Sequence, residues 1–242
     1  HMNTDPINLT SGFAIIGHRG AAGLAPENTL PSFQIALDMG CRGIELDVHR
    51  VMDANHVVRL GVIHDERLDR TTNQRGRVAE VTAETLGMLD AGNGVGVPLL
   101  DEVVELFDQA DNTLLNIELK GKNTAAPTAA FLVQHPNIKV LVSSFDHDEL
   151  RQFRRLDNTT PVAPLFSRKR RNLVDTAQAL NAASINVAYP MVDAPLLETC
   201  RDAGYPVLVY TVNRVEDARR MKSLGVAGIF TARPDLMLAL QD

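Results

Sequence analysis

The sequence GIELDV at positions 43–48 is followed closely by VVRLGVI at positions 57–63. Both stretches are rich in β-branched and apolar residues, which predicts two β-strands. Only residues 49–56 separate them, which is too short for the helical crossover of about a dozen residues that joins parallel strands. We therefore predict that these two strands form an antiparallel hairpin.

Seven further apolar runs with strand character occur along the chain, and segments with helical periodicity separate most of them. These runs span residues 13–17, 114–119, 139–143, 161–165, 184–188, 206–211 and 228–231. Without the second hairpin strand, eight strands remain, each followed by a helix. This alternation predicts an α/β fold, a TIM-type (β/α)8 barrel. The second unit differs, because the hairpin and a small inserted segment, about residues 49–98, precede its predicted helix at residues 100–107.

The composition limits the class of protein. A chain of 242 residues with 45 % hydrophobic residues can bury one large core, and no linker divides it, so we expect one domain over residues 1–242. The net charge of −6 argues against nucleic-acid binding. No apolar run is long enough to span a membrane, so we expect no stable membrane association. Without a secretion signal, and with Cys41 and Cys200 interpreted as free buried thiols, a cytoplasmic location is expected.

Acidic residues on two predicted neighbouring strands indicate a metal site. Strand alternation places Glu45 and Asp47 on the same face, and Glu118 lies on the next barrel strand. Two adjacent carboxylates repel unless a cation lies between them. An isolated Glu-x-Asp is more often a salt-bridged or solvated edge, but a third carboxylate favours one hard divalent cation, Mg²⁺ or Ca²⁺.

Four further polar side chains are predicted at the same end of the barrel. His18 ends the first strand and His64 follows the hairpin, so the two imidazoles are candidates for the acid and the base of phosphoryl transfer. Arg19 and Lys120 are candidates for contacts with phosphate oxygens, since fixed cations suit such oxygens. Each of these two cations is equally suited to form an ion pair with Glu45 or Asp47.

Several motifs together resemble the glycerophosphodiester phosphodiesterase family, and the similarity covers almost the whole chain in the right order. These motifs are His18-Arg19-Gly20, Pro26-Glu27-Asn28-Thr29, Glu45-Leu46-Asp47-Val48, His64-Asp65, Leu68-Asp69-Arg70-Thr71-Thr72, Glu118-Leu119-Lys120, Ser143-Ser144-Phe145, Tyr210-Thr211-Val212-Asn213 and Gly228-Ile229-Phe230-Thr231. The resemblance implies a barrel that hydrolyses a small-molecule glycerophosphodiester to glycerol 3-phosphate and an alcohol. It also implies roles for three groups of residues. Metal ligands are Glu45, Asp47 and Glu118, catalytic residues are His18 and His64, and phosphate contacts are Arg19 and Lys120.

The chain departs from the family pattern mainly around the substrate pocket. Tyr210 replaces a common tryptophan, and Ala232-Arg233 replaces a segment that often carries an aspartate. Two other functions stay open: cleavage of lysophospholipid or inositol phosphodiesters, and binding of a phosphometabolite without catalysis. Also open are attack by water or by the substrate's own hydroxyl, which histidine is the acid, and whether the protein is a monomer or a homodimer.

Two other segments near the predicted active face receive more ordinary interpretations. Asn28 and Thr29 are expected to start a helix, whereas Glu27, beside the mouth, suits either a structural or a functional role. The basic run Ser167–Arg171 is interpreted first as a solvated surface and second as an element that steers anionic substrate.

Overall fold

A computed structural model describes residues 8–107, 112–169 and 171–242. Its nine strands are β1 Ala14–His18, β2 Gly43–Met52, β3 Val58–Val62, β4 Leu114–Leu119, β5 Val140–Ser144, β6 Val162–Phe166, β7 Ile185–Ala188, β8 Val207–Tyr210 and β9 Gly228–Thr231. All except β3 are parallel to their neighbours. Because β1 pairs with both β9 and β2, the eight parallel strands close into a barrel. The predicted TIM-barrel fold is confirmed.

Helices follow the strands and cover the outside of the barrel. They are α1 Leu30–Met39, α2 Ala83–Met88, α3 Leu100–Phe107, α4 Ala125–Val133, α5 His147–Leu156, α6 Leu173–Leu180, α7 Ala194–Asp202, α8 Val215–Ser223 and α9 Pro234–Met237, with short 3₁₀ segments at Val78–Glu80, Tyr189–Met191 and Leu238–Leu240. Local sequence explains several helix ends. The Asp146 carboxylate accepts hydrogen bonds from the first-turn amides of α5, and Gly40 ends α1 in the left-handed conformation.

The predicted hairpin is present, but β2 is longer than the sequence pattern indicated. The prediction ended β2 at Val48, because polar residues follow, whereas the strand continues to Met52. Its first half pairs with β1 and β4, and its second half pairs antiparallel with β3, from Val48 opposite Val62 to Met52 opposite Val58. Main-chain pairing with β3 thus extends β2 beyond the barrel.

The inserted segment has a small hydrophobic core of its own. Buried side chains on β2, after β3, in the 3₁₀ segment and on α2 pack together, among them Val51, Ile63, Leu68, Val78 and Leu86. A main-chain hydrogen bond from Val62 to Pro98 joins the two ends of the segment, and one from Ile63 to Asp47 attaches it to the barrel. The insertion is therefore a packed unit that sits over the end of β2.

The opposite end of the barrel is closed by the C-terminal segment. The Gln241 Oε1 atom accepts hydrogen bonds from the main-chain amides of Ile15 (3.2 Å) and Arg42 (2.9 Å), and its Nε2 donates to the Gly40 carbonyl (2.9 Å). One side chain thereby joins the starts of β1 and β2, the two strands at which the barrel closes.

Two expectations from the composition can be compared with the structure. Cys41 and Cys200 are buried free thiols, as predicted, and burial raises the pKa of Cys41 to about 12. Within the described ranges, the structure contains no helix that combines the length and the apolar character needed to cross a membrane.

Candidate active site

A pocket of about 170 Å³ opens at the carboxyl ends of the barrel strands, the face on which TIM barrels carry their functional residues. Every residue predicted for the site lies on its wall. The pocket is lined by His18, Arg19, Glu45, Asp47, His64, Asn116, Glu118, Lys120, Phe145, Leu165, Tyr210, Thr211 and Phe230. The topology therefore brings together side chains that are far apart in the sequence.

The three predicted metal-binding carboxylates form one cluster. Glu45 and Asp47 project from β2, and Glu118 from β4 lies directly opposite Asp47 in the strand register. One carboxylate oxygen from each residue lies within 4.8 Å of those of the other two, and all three residues are buried. Parallel pairing of β2 and β4 creates this cluster, because it aligns acidic residues that share a face.

The electrostatics of the cluster are unfavourable without a cation. Burial raises the pKa of Glu45 well above its usual range, and the neighbouring Asp47 and Glu118 carboxylates raise it further. Burial and the charge of Asp47 also raise the pKa of Glu118 to about 7, although Lys120 opposes this shift. Negative charges packed together in a desolvated site cause both effects.

The donors in this cluster fit a hard divalent cation. The Asp47 Oδ1 atom is buried and has no hydrogen-bond partner among the described residues, which is costly for a carboxylate oxygen. Three carboxylates supply only oxygen ligands, the set that Mg²⁺ and Ca²⁺ prefer. A dication between Glu45, Asp47 and Glu118 would satisfy the orphaned oxygen and offset the repulsion.

Two cations border the carboxylates. The Lys120 ammonium lies 2.6 Å from Glu118 Oε2 and 4.0 Å from Asp47 Oδ1; burial opposes its charge, but these two carboxylates raise the pKa of Lys120 overall. The Arg19 Nε atom lies 3.7 Å from Asp47 Oδ2. Both cations therefore lie within ion-pair distance of Asp47, one of the two partners expected, whereas the shorter contact of Lys120 with Glu118 was not expected. Both side chains also face the pocket.

The backbone around Arg19 is held in an uncommon conformation. Arg19 has a φ of 53°, in the left-handed region that side chains disfavour. Its amide donates to Glu45 Oε1 (3.0 Å), and its carbonyl accepts from the Asn28 amide (3.0 Å) and from Ser32 Oγ (3.0 Å). These contacts fix the loop after β1 directly against the Glu45 carboxylate.

The two histidines approach the pocket from different parts of the fold. His18 is the last residue of β1, and burial and the nearby Arg19 lower the pKa of His18 to about 4. His64 lies two residues beyond β3, and its Nδ1 is 2.7 Å from Asp65 Oδ1. The His49 Nε2 atom contacts the His64 carbonyl at 2.9 Å, so His49 supports the main chain at His64.

Two residues in or beside the site, Asn28 and Phe145, received no site role from the sequence. Asn28 does not cap α1, whose N-cap position is Thr29. Instead, the side-chain Nδ2 atom of Asn28 donates to Asp47 Oδ2 at 3.0 Å. Phe145 and Tyr210 form an aromatic wall, with ring centroids 5.7 Å apart in an edge-to-face arrangement. The positive φ of Asn28 cannot be predicted from one sequence. Phe145 could have been predicted, because it directly follows the carboxyl end of a predicted strand.

The basic run after β6 lies outside this pocket. Arg170 falls outside the described residues, and none of the other residues of the run lines the pocket. Lys169 forms an ion pair with Asp193. The described part of the run therefore fits its first interpretation as a charged surface.

Comparison with known proteins agrees with this geometry. The model of the glycerophosphoryl diester phosphodiesterase family matches residues 18–236, which include every site residue described above. The chain belongs to this family. A glycerophosphodiester phosphodiesterase of Caldanaerobacter subterraneus is 34 % identical over 93 % of this chain and 96 % of its own length. One from Bacillus altitudinis is 35 % identical over 94 % of this chain and 98 % of its own length.

Solved structures of this glycerophosphodiester phosphodiesterase family show the same fold. A phosphodiesterase of Oleispira antarctica, solved in complex with the product sn-glycerol-3-phosphate, superposes with a TM-score of 0.87. It is 27 % identical, and the match covers 94 % of this chain and 96 % of that one. Because these relatives match over nearly their whole length and are phosphodiesterases, this protein is a glycerophosphodiester phosphodiesterase, a phosphoric diester hydrolase.

Proposed function

We propose that this enzyme hydrolyses glycerophosphodiesters to glycerol 3-phosphate and an alcohol with one divalent cation, Mg²⁺ or Ca²⁺, and with His18 and His64 as base and acid. The observation that carries the proposal is the buried cluster of Glu45, Asp47 and Glu118 in the pocket that both imidazoles line. The sn-glycerol-3-phosphate in the Oleispira antarctica structure supports the identity of the product.

The cation would be held by the three carboxylates. When bound, it would supply positive charge to the phosphoryl oxygens of the substrate. Arg19 and Lys120 would contribute further positive charge from the pocket wall, where burial strengthens electrostatic interactions. The bound cation and these two cationic side chains would thus hold the phosphodiester in place before any proton moves.

The two histidines would move the protons. His18 has a pKa lowered to about 4, so its ring is neutral near pH 7 and able to accept the proton of the attacking hydroxyl. Asp65 binds the Nδ1 atom of His64, which leaves Nε2 to donate a proton to the leaving alcohol. Both water and the substrate's own glycerol hydroxyl are suitable nucleophiles for this arrangement.

The proposal is tested by assaying release of glycerol 3-phosphate from glycerophosphocholine after treatment with a chelator and after adding back Mg²⁺ or Ca²⁺. We expect activity to disappear with the chelator and to return with the preferred cation. Full activity in the chelated protein would contradict the metal dependence. The same assay over lysophospholipid and inositol head groups identifies the leaving alcohol, and ³¹P NMR detects a cyclic phosphate if the glycerol hydroxyl attacks.

A further inference from the structure

A continuous ion-pair chain at the pocket mouth links the inserted segment to the loop after β1. His64 Nδ1 contacts Asp65 Oδ1 at 2.7 Å. Arg70 then binds Asp65 with two nitrogens, at 2.8 and 2.9 Å, and Glu27 with two nitrogens, at 3.1 and 2.8 Å. Glu27 in turn accepts from Arg19 Nη1 at 3.0 Å. Arg70 is therefore the centre of the chain.

Single carboxylate oxygens in this ion-pair chain each accept hydrogen bonds from two side chains. Asp65 Oδ1 is shared between His64 and Arg70 Nη2, and Glu27 Oε1 is shared between Arg19 and the same Arg70 Nη2. One guanidinium nitrogen thus touches both carboxylates, and each carboxylate holds a side chain that faces the pocket. A lysine ammonium has the charge but not the planar fork needed to make four such bonds.

Arg70 itself is well placed for this contact. It lies in a turn in which the buried Leu68 anchors the chain and the Thr72 amide donates to the Leu68 carbonyl at 3.0 Å. Its side chain is 49 % exposed, and exposed ion pairs contribute little to the free energy of unfolding. The insertion also contacts the β1 loop where Gly92 packs on Pro26. Its docking therefore has a contact that is independent of Arg70.

We propose that Arg70 is a positioning residue for His64: its guanidinium fixes the Asp65 carboxylate against Glu27, and Asp65 fixes the imidazole. The inference rests on the proposed role of His64 as the acid that protonates the leaving alcohol. Without Arg70, Asp65 keeps its contact with His64 but loses its tie to the barrel loop. The imidazole then becomes free to turn away from the leaving oxygen.

The test compares two leaving groups in the intact enzyme with its preferred cation. The choline oxygen must receive a proton as it leaves glycerophosphocholine, whereas p-nitrophenolate leaves a glycerophospho-p-nitrophenyl ester without a proton. For Arg70→Ala we expect kcat on glycerophosphocholine to fall by about 10-fold to 10²-fold, and kcat on the aryl ester to fall less than about 3-fold. Arg70→Lys should recover only part of the loss, because it lacks the fork.

Arg67→Ala is the matched control. Arg67 lies on the same segment and pairs with Asp69 at 3.1 Å, but it does not line the pocket. It should leave kcat on both substrates unchanged. Thermal unfolding of both variants separates positioning from loss of structure, and we expect transition temperatures close to that of the wild type.

Three results would overturn the inference: wild-type rates in Arg70→Ala, an equal loss on both substrates, or complete recovery in Arg70→Lys. Failure of the proposed acid role would be distinguishable, because His64→Ala would then lose rate equally on both substrates. If His64→Ala shows the leaving-group dependence and Arg70→Ala does not, the acid role stands and the positioning role is wrong.

Discussion

At the residue scale, the proposed role of Glu118 as a cation ligand predicts how cation binding depends on pH. Its pKa is raised from 4.5 to about 7 in the cation-free protein, first by burial and then by Asp47. Between these two pH values the folded protein keeps a proton that an unfolded chain has lost. Because a bound dication needs the carboxylate ionised, binding in this range must release that proton.

We therefore expect cation affinity to fall as the pH is lowered from about 7 toward 4.5, by up to about tenfold per pH unit. Isothermal titration calorimetry in two buffers of different ionisation enthalpy measures both the affinity and the protons released. Glu118→Gln should lose at least about 10-fold in affinity, whereas the exposed Glu198→Gln should bind like the wild type. An affinity that does not vary over this range would contradict the assignment of Glu118 as a ligand.

The two pocket histidines carry a separate prediction about turnover. His18→Ala and His64→Ala should each lower kcat by about 10² to 10⁴, since each removes a proton-transfer group. His135→Ala is the control, because His135 stacks on Phe131 beside α4 and does not line the pocket. Steady-state kinetics at saturating cation make the measurement. Rates near that of the wild type in both pocket variants would reject the assignment.

At the scale of elements, the turn after β1 contains a glycine at a position where a side chain would clash with α1. Gly20 and Gly40 both have a positive φ, 82° and 83°. A Cβ built at Gly20 would lie 2.7 Å from the Ser32 carbonyl carbon and 2.9 Å from the Phe33 amide nitrogen, whereas a Cβ at Gly40 meets no atom within 4 Å. The two sites therefore separate backbone strain from a steric clash.

Gly40→Ala should lower the free energy of unfolding by about 1 to 2 kcal/mol, the cost of the left-handed conformation alone. Gly20→Ala should cost more, because the start of α1 must also move. It should lower kcat as well, since Arg19 precedes it in the same turn. Urea unfolding and steady-state kinetics check both variants, and equal losses of stability would show that the close approach to α1 is unimportant.

The strands and the seven predicted pocket residues could be located from the sequence, because the periodicity of apolar residues and the polar residues at strand ends are local signals. Leu114–Leu119, Gly228–Thr231 and Leu100–Phe107 were predicted with the observed bounds. The extension of β2 to Met52 was not, since it depends on pairing with β3 rather than on its own polar residues. Asn28 was interpreted as a helix start, because its contact with Asp47 is made by tertiary structure. The bridge made by Arg70 is likewise invisible before the insertion folds onto the β1 loop.

For the molecule as a whole, the pocket and the contact that joins the starts of β1 and β2 lie at opposite ends of the barrel. The pocket lies at the carboxyl ends of the strands, whereas Gln241 closes the amino ends of β1 and β2. A single substitution at the amino ends can therefore change the free energy of unfolding and leave the pocket unaltered.

Gln241→Ala should lower the free energy of unfolding by roughly 1 to 3 kcal/mol, because it leaves the amides of Ile15 and Arg42 without their acceptor. Gln241→Glu keeps the acceptor oxygen but places a carboxylate oxygen against the Gly40 carbonyl in place of the donor, so it should recover only part of the loss. In both variants kcat of the folded protein should match that of the wild type. Urea unfolding and steady-state kinetics test this separation, which a large drop in kcat at full folding would contradict.

Because β2 belongs both to the barrel and to the hairpin, its two halves can be altered separately. Its barrel half sets the height of Glu45 and Asp47, and its outer half ends at a tip where Asp53 Oδ1 accepts from the amides of Asn55 and Val57. The tip lies outside the pairing of β2 with β1 and β4 that sets the register of Glu45 and Asp47. A foreign loop spliced between Asp53 and Val57 would therefore leave Glu45, Asp47 and Glu118 in register, which makes this tip a natural graft point.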